Sequence, residues 1–282
     1  MNMVEEAVRS IRMPRGEGAE GETAQYSQPG KVTLVGAGPG DPELLTLRAV
    51  KALRGARLVL YDHLVSKDVL RYVAEDADLI YVGKQAGHHT IPQEEIIELM
   101  VRLASDGRSM VRLKGGDCFI FGRGGEEAQG LERAGIPFEI VPGISAAQGA
   151  GAYAGIPLTH RDHAATLVYA TGHLRGANDA DLDWAMLARP RQTVVFYMGI
   201  GNLPVICGEL QRHGMRADMP AALVEHATLP GQRCICGTLQ TLPQLALDHH
   251  VKPPALIIVG EVVSLYETLS RGMATPASLL EG

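Results

Sequence analysis

No stretch of this 282-residue chain approaches the ~20 consecutive apolar residues needed to cross a bilayer. The N-terminus is charged and has no apolar core segment, which excludes a secretory signal. An excess of base is lacking too. The formal net charge is −6, against a chain coated for nucleic acid or an anionic membrane, so an anionic ligand must meet a local basic cluster. Cysteine is scarce: Cys118, Cys207, Cys234 and Cys236 are all there is, and no CxxC pair occurs. That excludes the usual structural zinc site and leaves reduced thiols in a cytoplasmic protein as the expectation. Cys234 and Cys236, two apart, share one face of a strand. The pairs His88-His89 and His249-His250 have no carboxylate at ligand spacing, so no metal is expected.

The chain is 46% hydrophobic and 21% charged, enough to bury a core in one large or two ordinary domains. Residues 1–29 are rich in Gly, Glu, Arg and Gln and read as a disordered tail. Order begins at Lys31. Short β-prone runs then alternate with helical segments. Strands are predicted at 32–35, 57–61, 79–82, 111–113 and 137–141. Helices are predicted from Asp41 to about Arg54, then over 66–74, 92–105 and 123–134. This alternation implies βαβ units and a mainly parallel sheet. Ligands in such sheets sit beyond the carboxyl ends of the strands. Every unusual loop follows a strand: 36–41, 62–64, 83–90, 114–122 and 142–146.

The second half repeats the pattern with strands near 167–170, 193–197, 221–225, 233–237 and 256–259, and helices near 202–213, 241–249 and 262–271. The runs at 221–225 and 233–237, joined through Pro230-Gly231, predict a hairpin and a mixed sheet. Gly149, Gly151, Gly155 and Pro157 break the chain at 145–165. The reading is therefore two α/β domains, 30–145 and 146–275, with a ligand cleft between them and a short tail at 276–282.

The segment VRLKGGDCFIFGRGGEE (111–127) concentrates the chemistry. Adjacent glycines lose much entropy on folding, and they make sense where a backbone turns tightly or nears a ligand. Here two such clusters bracket an arginine and a glutamate. GAGPGD (36–41) supplies the first two glycines of a dinucleotide fingerprint, but the third position is Asp41, and Pro39 removes an N–H where a pyrophosphate would want one. A nucleoside without phosphates suits it better; an NAD-dependent oxidoreductase stays as the competing reading.

VGAGPGDPELLTL (35–47), VGKQAG (82–87), RLKGGDCFIFGRGGEE (112–127), VPGISA (141–146), AGIPLTHRD (154–162), FYMG (196–199) and ALIIVGEVV (255–263) closely resemble the uroporphyrinogen-III C-methyltransferases of the tetrapyrrole methylase class. The motifs run in one order over about residues 31–270. The resemblance implies two α/β domains with S-adenosyl-L-methionine (SAM) in the cleft, released as S-adenosylhomocysteine. It implies methylation of two ring carbons of uroporphyrinogen III, through precorrin-1 to precorrin-2, by a homodimer. It assigns SAM to Pro39, Gly115, Gly116, Asp117, Ile120, Ser145, Ala146, Met198 and Ala227. It assigns acid–base roles to Asp62 and Lys84, and the substrate to Arg123, Glu126 and Arg161.

Those residue types fit the chemistry. A sulfonium methyl is already activated and a porphyrinogen carbon is electron-rich, so catalysis is mainly positioning. A base must then accept a proton, and Glu126 and Asp62 are equal candidates. Eight substrate carboxylates call for arginines, with Lys84, Lys114, His160 and His163 as helpers. Plainer readings compete: Arg123–Glu126 as an i,i+3 pair, Asp62 as a turn cap, Lys84 as a solvated loop base and Met198 as core. A non-catalytic SAM or tetrapyrrole binding module is a further alternative, as is a methylase acting later on a corrin precursor. The chain departs from the family at Cys118, where a proline is usual, and at Ser145, where threonine is usual. No dehydrogenase/ferrochelatase module precedes residue 31, so the chain is expected to stop at precorrin-2.

Overall fold

The computed structural model describes residues 28–83, 91–173 and 182–273, which fall into two compact units divided after Ser145. The tails, the loop carrying Lys84 and His88-His89, and residues 174–181 lie outside the described residues.

The first unit holds a five-stranded sheet of β1 (Val32–Gly36), β2 (Leu58–Tyr61), β3 (Asp78–Tyr81), β4 (Met110–Lys114) and β5 (Phe138–Val141). Its order is β3-β2-β4-β1-β5, and every pairing is parallel. Helices α1 (Leu47–Arg54), α2 (Lys67–Leu70), α3 (Gln93–Ser105) and α4 (Gly124–Arg133) cover it. Both faces are therefore apolar, as parallel sheets require. Leu34, Leu60 and Ile80 pack with Ile96, Leu99 and Met100 of α3 and Leu131 of α4. Val35, Val59, Val111 and Leu113 pack with Ala49 and Leu53 of α1 and Val69 of α2. Each of the larger fully buried side chains contributes about 1.5–3 kcal/mol.

One predicted helix proves to be two pieces. Asp41 caps only a 3-10 turn, Pro42–Leu44, its Oδ1 accepting from Glu43 N at 2.8 Å. Leu45 and Thr46 are extended, and the Thr46 hydroxyl accepts from Ala49 N at 3.1 Å to start α1 afresh. A threonine that can bond the backbone three residues on competes with helix continuation, and here it wins. The helix expected over 66–74 shrinks to α2, opened by a bond from Val69 N to the Ser66 hydroxyl.

The second unit holds β6 (Thr166–Thr171), β7 (Gln192–Tyr197), β8 (Pro220–Glu225), β9 (Arg233–Thr238) and β10 (Ala255–Val259), ordered β6-β7-β10-β8-β9. β6 and β7 are parallel; β10 runs antiparallel to β7 and β8, and β8 and β9 form the predicted hairpin. Hence β6, β7 and β8 point one way and end at one edge. Helices α5 (Ala146–Ala154), α6 (Trp184–Leu187), α7 (Leu203–Arg212), α8 (Leu242–Asp248) and α9 (Tyr266–Gly272) complete the unit. The glycines read as breaking the chain lie inside or beside α5. A Cβ at Gly151 would sit 2.8 Å from the Ile156 carbonyl, so the glycine admits the returning chain instead of ending the helix. α6 was not anticipated, since four residues leave no periodicity; Asp183 caps it and Trp184 is buried. The segment 262–271 divides into a 3-10 stretch, Glu261–Leu265, and α9.

Candidate active site

All five strands of the first sheet are parallel, so their carboxyl ends share an edge, and the loops there are knitted together. Gly116 N donates to Gly38 O at 2.7 Å and Gly38 N to Gly116 O at 3.1 Å, joining the loops after β1 and β4. The loop after β5 closes on both. A Cβ at Gly143 would lie 2.4 Å from Gly116 O, and one at Gly36 would lie 2.6 Å from Gly143 N. The loop after β2 leans in as well: a Cβ on Gly115 would meet Leu64 Cβ at 2.6 Å, and the Ser66 hydroxyl donates to Gly40 O at 2.8 Å. Asp117 works inside this knot. Its Oδ1 accepts from Phe119 N at 2.8 Å and its Oδ2 from Gly143 N at 3.0 Å.

The residues assigned to SAM in this unit lie on the knot. Pro39, Gly115, Gly116, Asp117 and Ile120 are all half-buried, while Ser145 is buried. Asp117 keeps lone pairs after accepting two amides, which suits an ammonium. Gly38 N is already spent, Pro39 has no N–H, and the Asp41 carboxylate occupies the start of the following turn. This turn therefore repels a pyrophosphate, the opposite of a dinucleotide fingerprint.

In the second unit, Met198 follows β7 and Ala227 follows β8, at the shared edge of these co-directional strands. Met198 is 55% exposed, so it is not core. Met198, His226 and Thr228 have positive φ of 54°, 51° and 66°, as do Phe121 (51°) and Arg123 (57°) in the first unit. Side-chain-bearing residues held in this region store strain, and such strain gathers at ligand sites. Ala146 opens α5, which Tyr197 anchors by accepting from Ala147 N at 3.0 Å. Arg161 is exposed beside His160 and His163, whose rings lie 4.8 Å apart.

The charged candidates separate clearly. Arg123 and Glu126 form the i,i+3 pair: Nε reaches Oε1 at 3.0 Å, and both side chains are half-exposed at the start of α4. The hydrogen bond to Arg123 lowers the Glu126 carboxyl below its ordinary range, which weakens it as a base. Asp62 ends β2. Its Oδ1 accepts from Leu64 N at 3.2 Å, the turn-capping role, and its Oδ2 lies 3.4 Å from Arg112 Nη2.

Lys114 is not where a substrate helper would be. It is buried and donates to Glu127 Oε1 at 2.8 Å. The same oxygen accepts from Arg112 Nε at 3.2 Å and from Gln93 Nε2 at 2.9 Å. Burial, and then the charge of Arg112, lowers the Lys114 ammonium against the opposing pull of Glu127. Sequence reading missed Arg112 and Glu127. The signal was present: Gly124, Glu127, Gly130 and Leu131 form the buried stripe of α4 at i, i+3, i+6 and i+7, and it runs through Glu127, not Glu126. Cys118 is also fully buried, in the core with Leu60 and Leu131; burial pushes its thiol up to about 12.

Comparison with known proteins agrees with this architecture. The chain is 59% identical over 240 residues to a siroheme synthase of Thioalkalivibrio sulfidiphilus, covering 85% of this chain and 49% of that one. It thus spans about half the length of the curated relatives it matches. A uroporphyrin III C-methyl transferase of Thermus thermophilus, solved alone and with S-adenosyl homocysteine, is 43% identical with a TM-score of 0.71, covering 84% of this chain and 100% of that one. A cobalt precorrin-4 methyltransferase is 28% identical with a TM-score of 0.73, covering 83% and 95%. Residues 31–243 match the Tetrapyrrole (Corrin/Porphyrin) Methylases, and the chain belongs to that family.

Proposed function

We propose that this chain is the SAM-dependent uroporphyrinogen-III C-methyltransferase, acting at two ring carbons through precorrin-1 to precorrin-2 and so feeding sirohaem, cobalamin or haem d1 synthesis. The observation that carries the reading is the 43% identity maintained over the whole of the Thermus thermophilus enzyme. SAM supplies an activated methyl group. The pinned loops at Gly115, Gly116 and Asp117 hold its amino-acid end, Ile120 and Met198 flank the adenine, and Ser145, Ala146, Pro39 and Ala227 complete its surroundings. Arg123 and Arg161 take substrate carboxylates, with Glu126 held by Arg123. Asp62 is the better proton acceptor of the two candidates, because Arg123 binds both oxygens of Glu126 whereas Arg112 approaches only one oxygen of Asp62, at 3.4 Å. Lys84 keeps its proposed acid–base role by resemblance. We place the enzyme in the cytoplasm as a homodimer; among the described residues no helix is long and apolar enough to cross a membrane.

The test is direct. Purified chain, SAM and uroporphyrinogen III should yield a tetrapyrrole heavier by two methyl groups. No mass gain sinks the reading, and gain only on a later corrin precursor moves the chain to another step of the same class.

A further inference from the structure

Among the described residues four charges form one cluster around β4, and three of them are sealed from water. The side chains of Arg112, Lys114 and Glu127 are 3%, 4% and 0% exposed, and the fourth, Asp62, is 21% exposed. The cluster balances two cations against two carboxylates. Burying such a set is expensive, and apolar side chains of similar volume generally stabilise a core as well or better. Stability alone is thus a poor reason for it. Its geometry suggests another. Arg112 is held on three sides: Nε by Glu127 Oε1 at 3.2 Å, Nη1 by the Leu113 carbonyl at 3.0 Å, and Nη2 facing Asp62 Oδ2 at 3.4 Å. Glu127 is fixed in turn by Gln93 and Lys114. Asp62 is the one member that reaches solvent. With Leu64 N on Oδ1 and Arg112 on Oδ2, its carboxylate is gripped at both oxygens. Among the described residues, His63 follows it in the chain, Tyr81 and Tyr61, rings 5.5 Å apart, are titratable groups beside it, and Lys114 acts on it through space.

We propose that Arg112 is a positioning residue for Asp62, and that Glu127, Gln93 and Lys114 serve to fix Arg112. This rests on the reading of Asp62 as the acid–base group. A planar guanidinium can bridge two carboxylates at fixed angles, whereas an ammonium cannot. The sheet itself thus aims the carboxylate, by way of a strand whose own charged side chains are buried.

Steady-state kinetics with SAM and uroporphyrinogen III test it in four proteins: wild type, Asp62→Ala, the charge-balanced Arg112→Met/Glu127→Gln, and the three changes together. Losing the grip should lower kcat by up to about 10²-fold, the scale of a misplaced reacting group. The KM for SAM and the calorimetric affinity for S-adenosylhomocysteine should hold. In the Asp62→Ala background the same pair of changes should have almost no further effect. If the pair fails to fold, Arg112→Lys decides by the same comparison: a lower kcat with Asp62 present and none lost without it. Equal losses in both backgrounds, or an unchanged kcat, overturn the proposal alone. An active wild type whose Asp62→Ala variant keeps full kcat overturns the acid–base reading and the proposal with it, and an inactive wild type overturns both along with the proposed function.

Discussion

Gly143→Ala probes whether the strand-end loops are as tightly joined as their geometry implies. The new methyl would lie 2.4 Å from Gly116 O and 2.8 and 2.9 Å from Gly36 C and Cα. An ordinary van der Waals approach is roughly 3.5 Å, so the first contact is about 1 Å too short. All three neighbours are backbone, and no rotamer change relieves them. Overpacking of this kind costs about 1–3 kcal/mol. The bond from Gly143 N to Asp117 Oδ2 is pulled as well, and bonds to charged groups contribute about 1.5–3 kcal/mol. The stiffer unfolded chain offsets some 0.4–1 kcal/mol. A net loss of about 2 kcal/mol lowers Tm by roughly 4–8 °C. Because Gly116 and Asp117 move with the clash, S-adenosylhomocysteine affinity by calorimetry should fall in parallel. A Gly143→Ala protein with the parent Tm and the parent affinity would refute the packed-loop reasoning.

Gly208→Ala is the converse case. Gly208 is exposed in mid-helix α7 with nothing within 4 Å of an added Cβ, so scanning calorimetry should show stabilisation by up to about 1 kcal/mol. Burial also pushes the Cys207 thiol up to about 12, as it does Cys118. At pH 8 neither should react with a thiolate-selective reagent until the chain is denatured, and mass mapping of prompt labelling at either in the folded protein would contradict their burial. The sign follows for stability: below the ordinary thiol value of 9.0 both states keep the proton, and between there and about 12 the unfolded chain loses it first. Stability therefore falls across that range as pH rises.

The strand–helix alternation was legible because it is a local property. Each β-run from Val32 to Val141 carries its own apolar content, and every strand predicted in either half is present. The break at Leu45–Thr46 was not, because Asp41-Pro42-Glu43 and Thr46 are both valid helix starts, and only packing decides whether one helix or two forms. The adjacent glycines 115 and 116 announced close approach by their cost in entropy. What lies there is Leu64 and the backbone of Gly36, Gly38 and Gly143, strand-end glycines whose packing the sequence did not single out.

The sequence by itself determined the family, the parallel and mixed sheets, and the loops on which the chemistry is proposed. The tertiary structure decided the electrostatics. Glu126 and Glu127 are adjacent and chemically alike, yet a helical step of about 100° places one half in solvent and the other at 0% exposure against Arg112 and Lys114. In the sequence Lys114 reads as a helper for substrate carboxylates and Arg112 has no assigned role; both are buried once α3 and α4 cover that face. Burial belongs to the covering neighbours, and they come from distant parts of the chain.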